Sequence, residues 1–294
     1  MRIVGIRREI GPVLVGLLND AGSEVTILAD VDSFWSSPHS YLTDARPTGP
    51  VLAVDQNLVP PVTPSARVLC VGLNYQDHVD EGSFRNDKPA EFPTLFARWT
   101  ASLSVDGADV PLPTGEDGLD WEGEVVAWVG STQVDASPEE ALAAVVGYST
   151  FNDITSRRAQ KRTSQWIMGK NGDRSGPLGP MVPASEVGDL RDGLRVVTRV
   201  NGDVVQHGNT SSMIYGVGET LSLISHSFTL NPGDLLATGT PSGVGYSRTP
   251  PWLLQPGDTV EVEVDRLGTL TNRVVDNAHR HAPVHSGSNA GALQ

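Results

Sequence analysis

Asp120-Trp121-Glu122-Gly123-Glu124-Val125-Val126-Ala127-Trp128-Val129 reads as a β-strand, on which residues two apart point to the same side. One side carries Glu122 and Glu124 and continues through Val126 and Trp128; the other carries Trp121, Val125 and Val129. A solvated face would alternate in polarity along its whole length, and this strand does not. Two like charges side by side at one end of a strand with two apolar faces repel unless a cation lies between them. A divalent metal is the simplest such cation. The alternative is a strand end fraying into water, with both glutamates solvated.

The chain has 294 residues and 38% hydrophobic content, enough for a sizeable core in one large or two modest domains. With 31 Gly, 21 Pro and only 19% charged residues, the composition points to a turn-rich, strand-rich globular protein. A formal net charge of −14 argues against nucleic acid or an anionic membrane surface as partner. An acidic small molecule would have to be drawn in by local positive charge. The single cysteine, Cys70, excludes an intramolecular disulfide and reads as a small buried hydrophobe. The N-terminus lacks the apolar core of a signal peptide and no stretch approaches membrane-spanning length, so a cytoplasmic location is expected.

Residues 1–65 read as a small N-terminal α/β domain. It has a strand at Ile3-Val4-Gly5, a helix-like run from Val13 to Leu18 and a strand from Val25 to Leu28. The proline-rich Pro60-Pro61-Val62-Thr63-Pro64 then acts as a linker. Residues 66–279 are strand-rich, and 280–294, small and polar, are expected to form a disordered tail. A helix is predicted from Pro138 to Val146, with Ser137 as N-cap, Glu140 closing a capping box and Gly147 ending it. A second helix is predicted from about Ser212, with Met213, Val217, Leu221 and Ile224 at helical spacing. Pro232-Gly233-Asp234 and Pro256-Gly257-Asp258 read as type II turns between strands. The alternation of Val260, Val262 and Val264 with acidic residues reads as a half-buried strand.

A third carboxylate follows the first helix. Gly147 to Asn152 reads as a strand ending at Asp153, and a strand–helix–strand connection returns the chain alongside its start. Asp153 then comes near Glu122 and Glu124, and three carboxylates without His or Cys suit Mg²⁺, Mn²⁺ or Ca²⁺ rather than zinc. Alternatively, Asp153 caps the helix that follows. In Asn74-Tyr75-Gln76-Asp77-His78-Val79-Asp80-Glu81, Asn74 is suited to cap a short helix that puts His78 and Glu81 on one face. Such a pair is either a general base or a surface ion pair. Arg157 and Gln160 lie three apart after Asp153, and Arg157 with Lys170 would supply the anion-binding half of a site, unless Lys170 is merely solvated. Thr238-Gly239-Thr240-Pro241-Ser242-Gly243 offers hydroxyls and amide N–H groups without the lysine spacing of a phosphate loop, and a plain turn is its simpler reading.

Taken in order, these segments resemble one family. Gly72-Leu73-Asn74-Tyr75 with His78 and Glu81, Asp120 to Glu124, Phe151-Asn152-Asp153 with Arg157 and Gln160, Gly169-Lys170, Gly179-Pro180, Val200-Asn201-Gly202 and Thr238-Gly239-Thr240-Pro241 look like the fumarylacetoacetate hydrolase family. Within it, the chain resembles the bacterial acylpyruvate hydrolase and 2-hydroxyhepta-2,4-diene-1,7-dioate isomerase-like branch. The resemblance spans residues 66 to 276 and implies an α+β, β-rich fold, a mixed β-roll, in a homodimer that holds Mg²⁺ or Mn²⁺, or Ca²⁺. By matching position it makes Glu122, Glu124 and Asp153 metal ligands. His78 and Glu81 become the water-activating pair on a segment that orders as a lid, and Arg157, Gln160, Lys170 and Thr240 become substrate contacts. The chain departs from the family at Phe96-Ala97-Arg98, where many members carry lysine. Arg98, taken as a further substrate contact, offers a planar fork in place of a point charge. The loop Asn171-Gly172-Asp173 also lacks an aromatic often found there.

The expected protein is therefore a metal-dependent hydrolase that cleaves a C–C bond in a 2,4-dioxo acid of the acylpyruvate or fumarylpyruvate type. The metal would chelate the 1-carboxylate and 2-oxo oxygens, and the bond would break to leave an enolate held by the metal and Lys170. A decarboxylase or keto–enol isomerase of a related 2-oxo acid passes through the same enolate. A metal-dependent dicarboxylate-binding protein would share the three carboxylates without needing His78.

Overall fold

The computed structural model describes residues 1–43, 49–54, 57–81 and 91–279. The Gly123–Val129 strand is buried along its whole length, as its two apolar faces require. It lies inside an eight-stranded sheet in the order Thr94–Arg98, Val68–Gly72, Leu235–Ala237, Gly123–Val129, Val145–Asn152, Gly176–Leu178 and Leu103–Val105, with Val182–Pro183 also pairing to Val145–Asn152. Val125, Ala127 and Val129 enter a core with Leu221, Ile224, Val262 and Leu270. These partners come from the Val217–Ser225 helix and from a five-stranded sheet built of Asp203–Asn209, Arg195–Val200, Thr259–Val264, Gly268–Val275 and Val110–Pro111. Val126 and Trp128, on the other face, share a core with Ile3, Phe34, Trp35 and Phe151. The fold is thus α+β and β-rich, with curled sheets.

The N-terminal residues form a second five-stranded sheet in the order Val51–Ala53, Glu24–Asp30, Leu14–Leu18, Ile3–Ile6 and Leu58–Val59. Two short helices, Val31–Ser36 and Pro38–Thr43, accompany it. The expected helix-like run from Val13 is instead the Leu14–Leu18 strand, paired antiparallel on both sides. An apolar run this short has no period to separate helix from strand, and two neighbouring strands with free hydrogen-bonding edges settle it. Trp35 stacks on Trp128 with ring centroids 5.4 Å apart and planes 11° apart. The indole N–H groups of both are satisfied, Trp35 donating to the Pro61 carbonyl at 2.6 Å and Trp128 to the Ser149 hydroxyl at 2.9 Å.

The capping box forms as the sequence predicts, Ser137 accepting from the Glu140 N–H and Glu140 from the Ser137 N–H. The helix, however, ends at Ala143, and the next strand begins at Val145. Gly147 is a strand residue whose missing side chain admits Met181, since a Cβ there would lie 2.7 Å from Met181 Cγ. The second helix starts at Val217, after a 3₁₀ turn at Thr210–Ser212. Gly233 and Gly257 take positive φ (89° and 104°), as a type II turn demands. The expected tail, 280–294, lies outside the described residues. No helix among the described residues is long and apolar enough to cross a membrane.

Antiparallel pairing of Gly123–Val129 with Val145–Asn152 sets the site. Gly123 lies opposite Asn152, so the chain ends bearing Glu122 and Asp153 emerge side by side. Two bonds lock them: the Asp153 N–H donates to the Glu122 carbonyl at 2.9 Å, and the Glu122 N–H to Asn152 Oδ1 at 3.0 Å.

Removing the stacked ring tests whether the N-terminal sheet is part of the same folding unit. Trp35→Ala is expected to cost about 3–5 kcal/mol, seen in urea unfolding as a single transition at lower midpoint with an unchanged slope.

Candidate active site

Glu122, Glu124 and Asp153 bring one carboxylate oxygen each within 4.8 Å of the others, and all three are buried. Asp153 does not cap the following helix, whose N-cap is Ser156. Each carboxylate has a different set of partners. Lys170 Nζ bridges Glu122 and Asp153, at 2.6 Å from each. Arg157 also pairs with Glu122 at 2.6 Å. Arg98 Nε bonds Asp153. Among the described residues, Glu124 accepts only a backbone N–H, from Gly239 at 3.0 Å.

The electrostatics follow from that division. Burial pushes the Glu122 carboxyl up, but Lys170, Arg157 and His78 together bring it down to about 2. Burial also raises Glu124, and there the carboxylates of Asp153 and Glu122 push it further up, well above the carboxylate range. Burial alone would lower Lys170, yet Asp153 and Glu122 hold its ammonium above its ordinary value. Four buried carboxylates (Asp120, Glu122, Glu124, Asp153) thus face three buried cations (Arg98, Arg157, Lys170). The excess negative charge sits on Glu124. A hard divalent ion fits this all-oxygen donor set and this deficit of positive charge.

Part of this cluster borders a cavity of about 270 Å³, whose lining excludes Asp120 and Asp153. Glu122, Glu124 and Lys170 line it together with His78 and Thr240, and Arg157 and Gln160 line it from the Arg157–Gln160 helix. Val71, Phe96 and Trp166 give it an apolar wall, the last two rings meeting edge-on at 5.3 Å. His78 and Glu81 lie on the Gln76–Glu81 helix, with Nδ1 2.7 Å from Glu81 Oε1. Glu81 Oε2 accepts from the Gly243 N–H at 2.8 Å and the Ser247 hydroxyl at 3.0 Å. Burial raises Glu81, but those bonds and His78 bring it below its ordinary value. Asn74 is not the cap of this helix. Its amide instead donates to the Tyr215 and Thr238 carbonyls and accepts from the Tyr215 N–H, bracing the helix against the Thr238 loop.

Arg98, expected against the substrate, lies outside the cavity lining. Its side chain is fully buried, with further bonds to Ser175 Oγ at 2.9 Å and the Ile154 carbonyl at 2.7 Å, so it orients Asp153 from behind. Thr240 lines the cavity, but its hydroxyl proton goes to the Gly123 carbonyl at 2.9 Å, leaving it an acceptor toward any ligand. Gln160 Oε1 accepts from Arg157 Nη1 at 3.1 Å.

Several residues were not singled out from sequence. Asp120 is fully buried and accepts from Arg157 Nε (2.7 Å), the Gly245 N–H (2.6 Å) and the Tyr246 N–H (3.1 Å). Its signal was parity, since it shares the strand side of Glu122 and Glu124. Gln206 accepts from the Gly123 N–H at 3.0 Å and donates to Thr240 Oγ1 at 2.9 Å, tying the glutamate strand to the Thr240 loop. Lys161 and Tyr246 also line the cavity, and no local pattern pairs them.

Residues 67–275 match the family described as Fumarylacetoacetate (FAA) hydrolase C-terminal, and the chain belongs to the fumarylacetoacetate hydrolase family. It is 38% identical over 214 residues to the oxaloacetate tautomerase YisK of Bacillus subtilis (strain 168), covering 72% of this chain and 70% of that one. The crystal structure of 2-hydroxyhepta-2,4-diene-1,7-dioate isomerase from Mycobacterium marinum superposes with a TM-score of 0.73 at 31% identity, over 94% of this chain and 98% of that one. Fumarylpyruvate hydrolase from Pseudomonas aeruginosa, solved with Mn²⁺ and pyruvate, gives 0.65 at 34% identity, over 74% and 91%. The named relatives are enzymes: a tautomerase, an isomerase and a hydrolase.

The unpaired charge on Glu124 makes a prediction that reverses with metal. Because its carboxyl holds a proton more tightly folded than unfolded, the contribution favours folding at low pH and is lost as pH rises through the raised value. At pH 8 with chelator, Glu124→Gln should therefore melt above the wild type, by on the order of a few degrees. If Glu124 is one of the ligands of a bound ion, saturating Mn²⁺ should invert the order, because the variant lacks that carboxylate.

Proposed function

We propose that this protein is a divalent-metal-dependent hydrolase that cleaves the C–C bond of a 2,4-dioxo acid of the acylpyruvate or fumarylpyruvate type. The observation that carries this reading is that one cavity is lined by Glu122 and Glu124 of the carboxylate cluster and by His78, with Asp153 clustered beside the two glutamates and Glu81 bonded to the imidazole. Held by Glu122, Glu124 and Asp153, Mg²⁺ or Mn²⁺ would supply Lewis-acid polarisation of the 2-oxo acid. Glu81 accepts the Nδ1 proton of His78, which leaves Nε2 as the base toward the cavity. Glu81 is itself fixed by Gly243 and Ser247, so the imidazole keeps its tautomer and direction. His78 then takes a proton from water, whose oxygen adds to the distal carbonyl carbon. Collapse breaks the bond to the adjacent CH₂, giving a carboxylic acid and the enolate of pyruvate. The Lys170 ammonium faces that developing charge. A proton returned to the CH₂ carbon completes pyruvate.

A second reading, keto–enol tautomerisation of a 2-oxo acid, is favoured by the similarity to the Bacillus subtilis tautomerase. It needs proton transfer but no water addition. Loss of absorbance from an acylpyruvate panel and enol–keto exchange of oxaloacetate, measured on the same preparation, separate the two. Cleavage with slow oxaloacetate exchange supports the hydrolase, and the reverse supports the tautomerase. Absence of both in metal-loaded protein would leave a dicarboxylate-binding protein.

His78→Ala is expected to lower kcat for cleavage by about 10²–10⁴-fold with bound Mn²⁺ retained. Unchanged cleavage in that variant would remove His78 as the base. Glu124→Gln should lower kcat/KM by about a thousandfold, the several kcal/mol a Lewis acid contributes, and weaken Mn²⁺ binding in calorimetry.

A further inference from the structure

Positive charge collects at one edge of the cavity. A second hollow of about 360 Å³ shares Arg157, Lys161 and Tyr246 with it and adds Arg158 and Arg162. In a chain of net charge −14 this is an unusual place for four cations in a run of six residues. Two of the four are already matched. Arg157 pairs with Asp120 and Glu122, and Arg158 lies 3.9 Å from Asp117. The other carboxylate lining the hollow, Glu116, accepts the N–H groups of Arg158 and Ala159. Lys161 and Arg162 have no carboxylate partner among the described residues.

Lys161 is also held in place. Its Nζ sits 3.7 Å above the centroid of the Tyr246 ring. Tyr246 is anchored through its N–H to Asp120, the residue that also holds Arg157. The Lys161 N–H closes the end of the Arg157–Gln160 helix on the Ala159 and Arg157 carbonyls. A cation resting on an aromatic face keeps its charge and its N–H donors for a ligand while losing some of its freedom.

We propose that this hollow is a second anion subsite, built by Lys161 and Arg162, which takes the carboxylate at the far end of a dicarboxylic 2-oxo acid. This rests on the reading that the inner cavity takes the 2-oxo acid head. A short acid such as oxalate engages the head site alone, and a longer dicarboxylate engages both.

The test uses the full chain loaded with Mn²⁺ and three unreactive probes in calorimetry: oxalate, 2-oxohexanoate and 2-oxoadipate. The last two have the same carbon chain, ending in a methyl or in a carboxylate. Wild type should bind 2-oxoadipate about tenfold more tightly than 2-oxohexanoate. Lys161→Gln with Arg162→Gln should abolish that preference while oxalate and 2-oxohexanoate bind as before, and Lys161→Arg should keep it. An equal affinity of the two long acids for wild type overturns the proposal. So does a preference that survives the double variant, or an equal loss for all three probes, which marks a general field effect. Failure of wild type to bind oxalate at all would instead sink the underlying reading of the head site, and the subsite with it.

Discussion

The arrangement depends on an excess of one buried negative charge. Burying a carboxylate is costly unless a cation or several donors accompany it. Asp120 has Arg157 and two loop N–H groups, Glu122 has Lys170 and Arg157, and Asp153 has Arg98 and Lys170. Glu124 has a single N–H and two carboxylate neighbours. A fold that pairs three acids this thoroughly and leaves the fourth exposed to repulsion holds a proton tightly on Glu124 and has room in its charge balance for a further cation. A divalent ion held there would turn the deficit into a net positive centre, which an organic acid could approach despite the overall charge of the chain.

Backbone amides hold this centre as firmly as side chains do. The loop from Thr238 to Ser247 gives N–H groups of Gly239 to Glu124, Gly243 to Glu81, and Gly245 and Tyr246 to Asp120. One loop thereby positions the carboxylate cluster, the His78 partner and the arginine anchor together. The geometry tolerates little substitution. Gly239 has φ of 89° and a Cβ there would lie 2.8 Å from the Asn74 Cβ. Gly123, between the two glutamates, lets Gln206 reach its N–H, and a Cβ would lie 2.3 Å from Thr198 Oγ1. A glycine between the two clustered glutamates is thus a packing requirement of the strand pair.

Strand parity carried much of this in the sequence. It put Glu122 and Glu124 on one side, and the capped helix after them brought Asp153 back. The period of two also gave the half-buried Thr259–Val264 strand. What local pattern cannot contain is contact between distant segments. Arg98 read as a ligand-facing cation because a lone arginine near a family motif carries no sign of depth; a burial partner 55 residues away, Asp153, decides its place. Tyr246 and Lys161 meet where Asp120 accepts the Gly245 and Tyr246 N–H groups, a contact between segments far apart in the chain that no local pattern contains. Val13 to Leu18 failed for a different reason, because its partners for sheet pairing lie before and after it and its own apolar run suits either structure.

Core and rim have separate tasks in such a site. The buried acids, Lys170 and the arginines behind them fix where negative charge is accepted, and all come from strand ends or short helices packed on the large sheet. They are equally suited to any reaction that passes through an enolate. On the proposed reading, the groups that would choose among those reactions stand on the periphery: His78 on a short helix with no buried residue, and Lys161 and Tyr246 at the exposed edge. On that reading, changes in those peripheral segments would alter the bond that breaks or the acid that fits without disturbing the charge balance beneath. A family with this division can therefore yield hydrolases, isomerases and tautomerases from one scaffold, because the costly electrostatics of the core need be assembled only once.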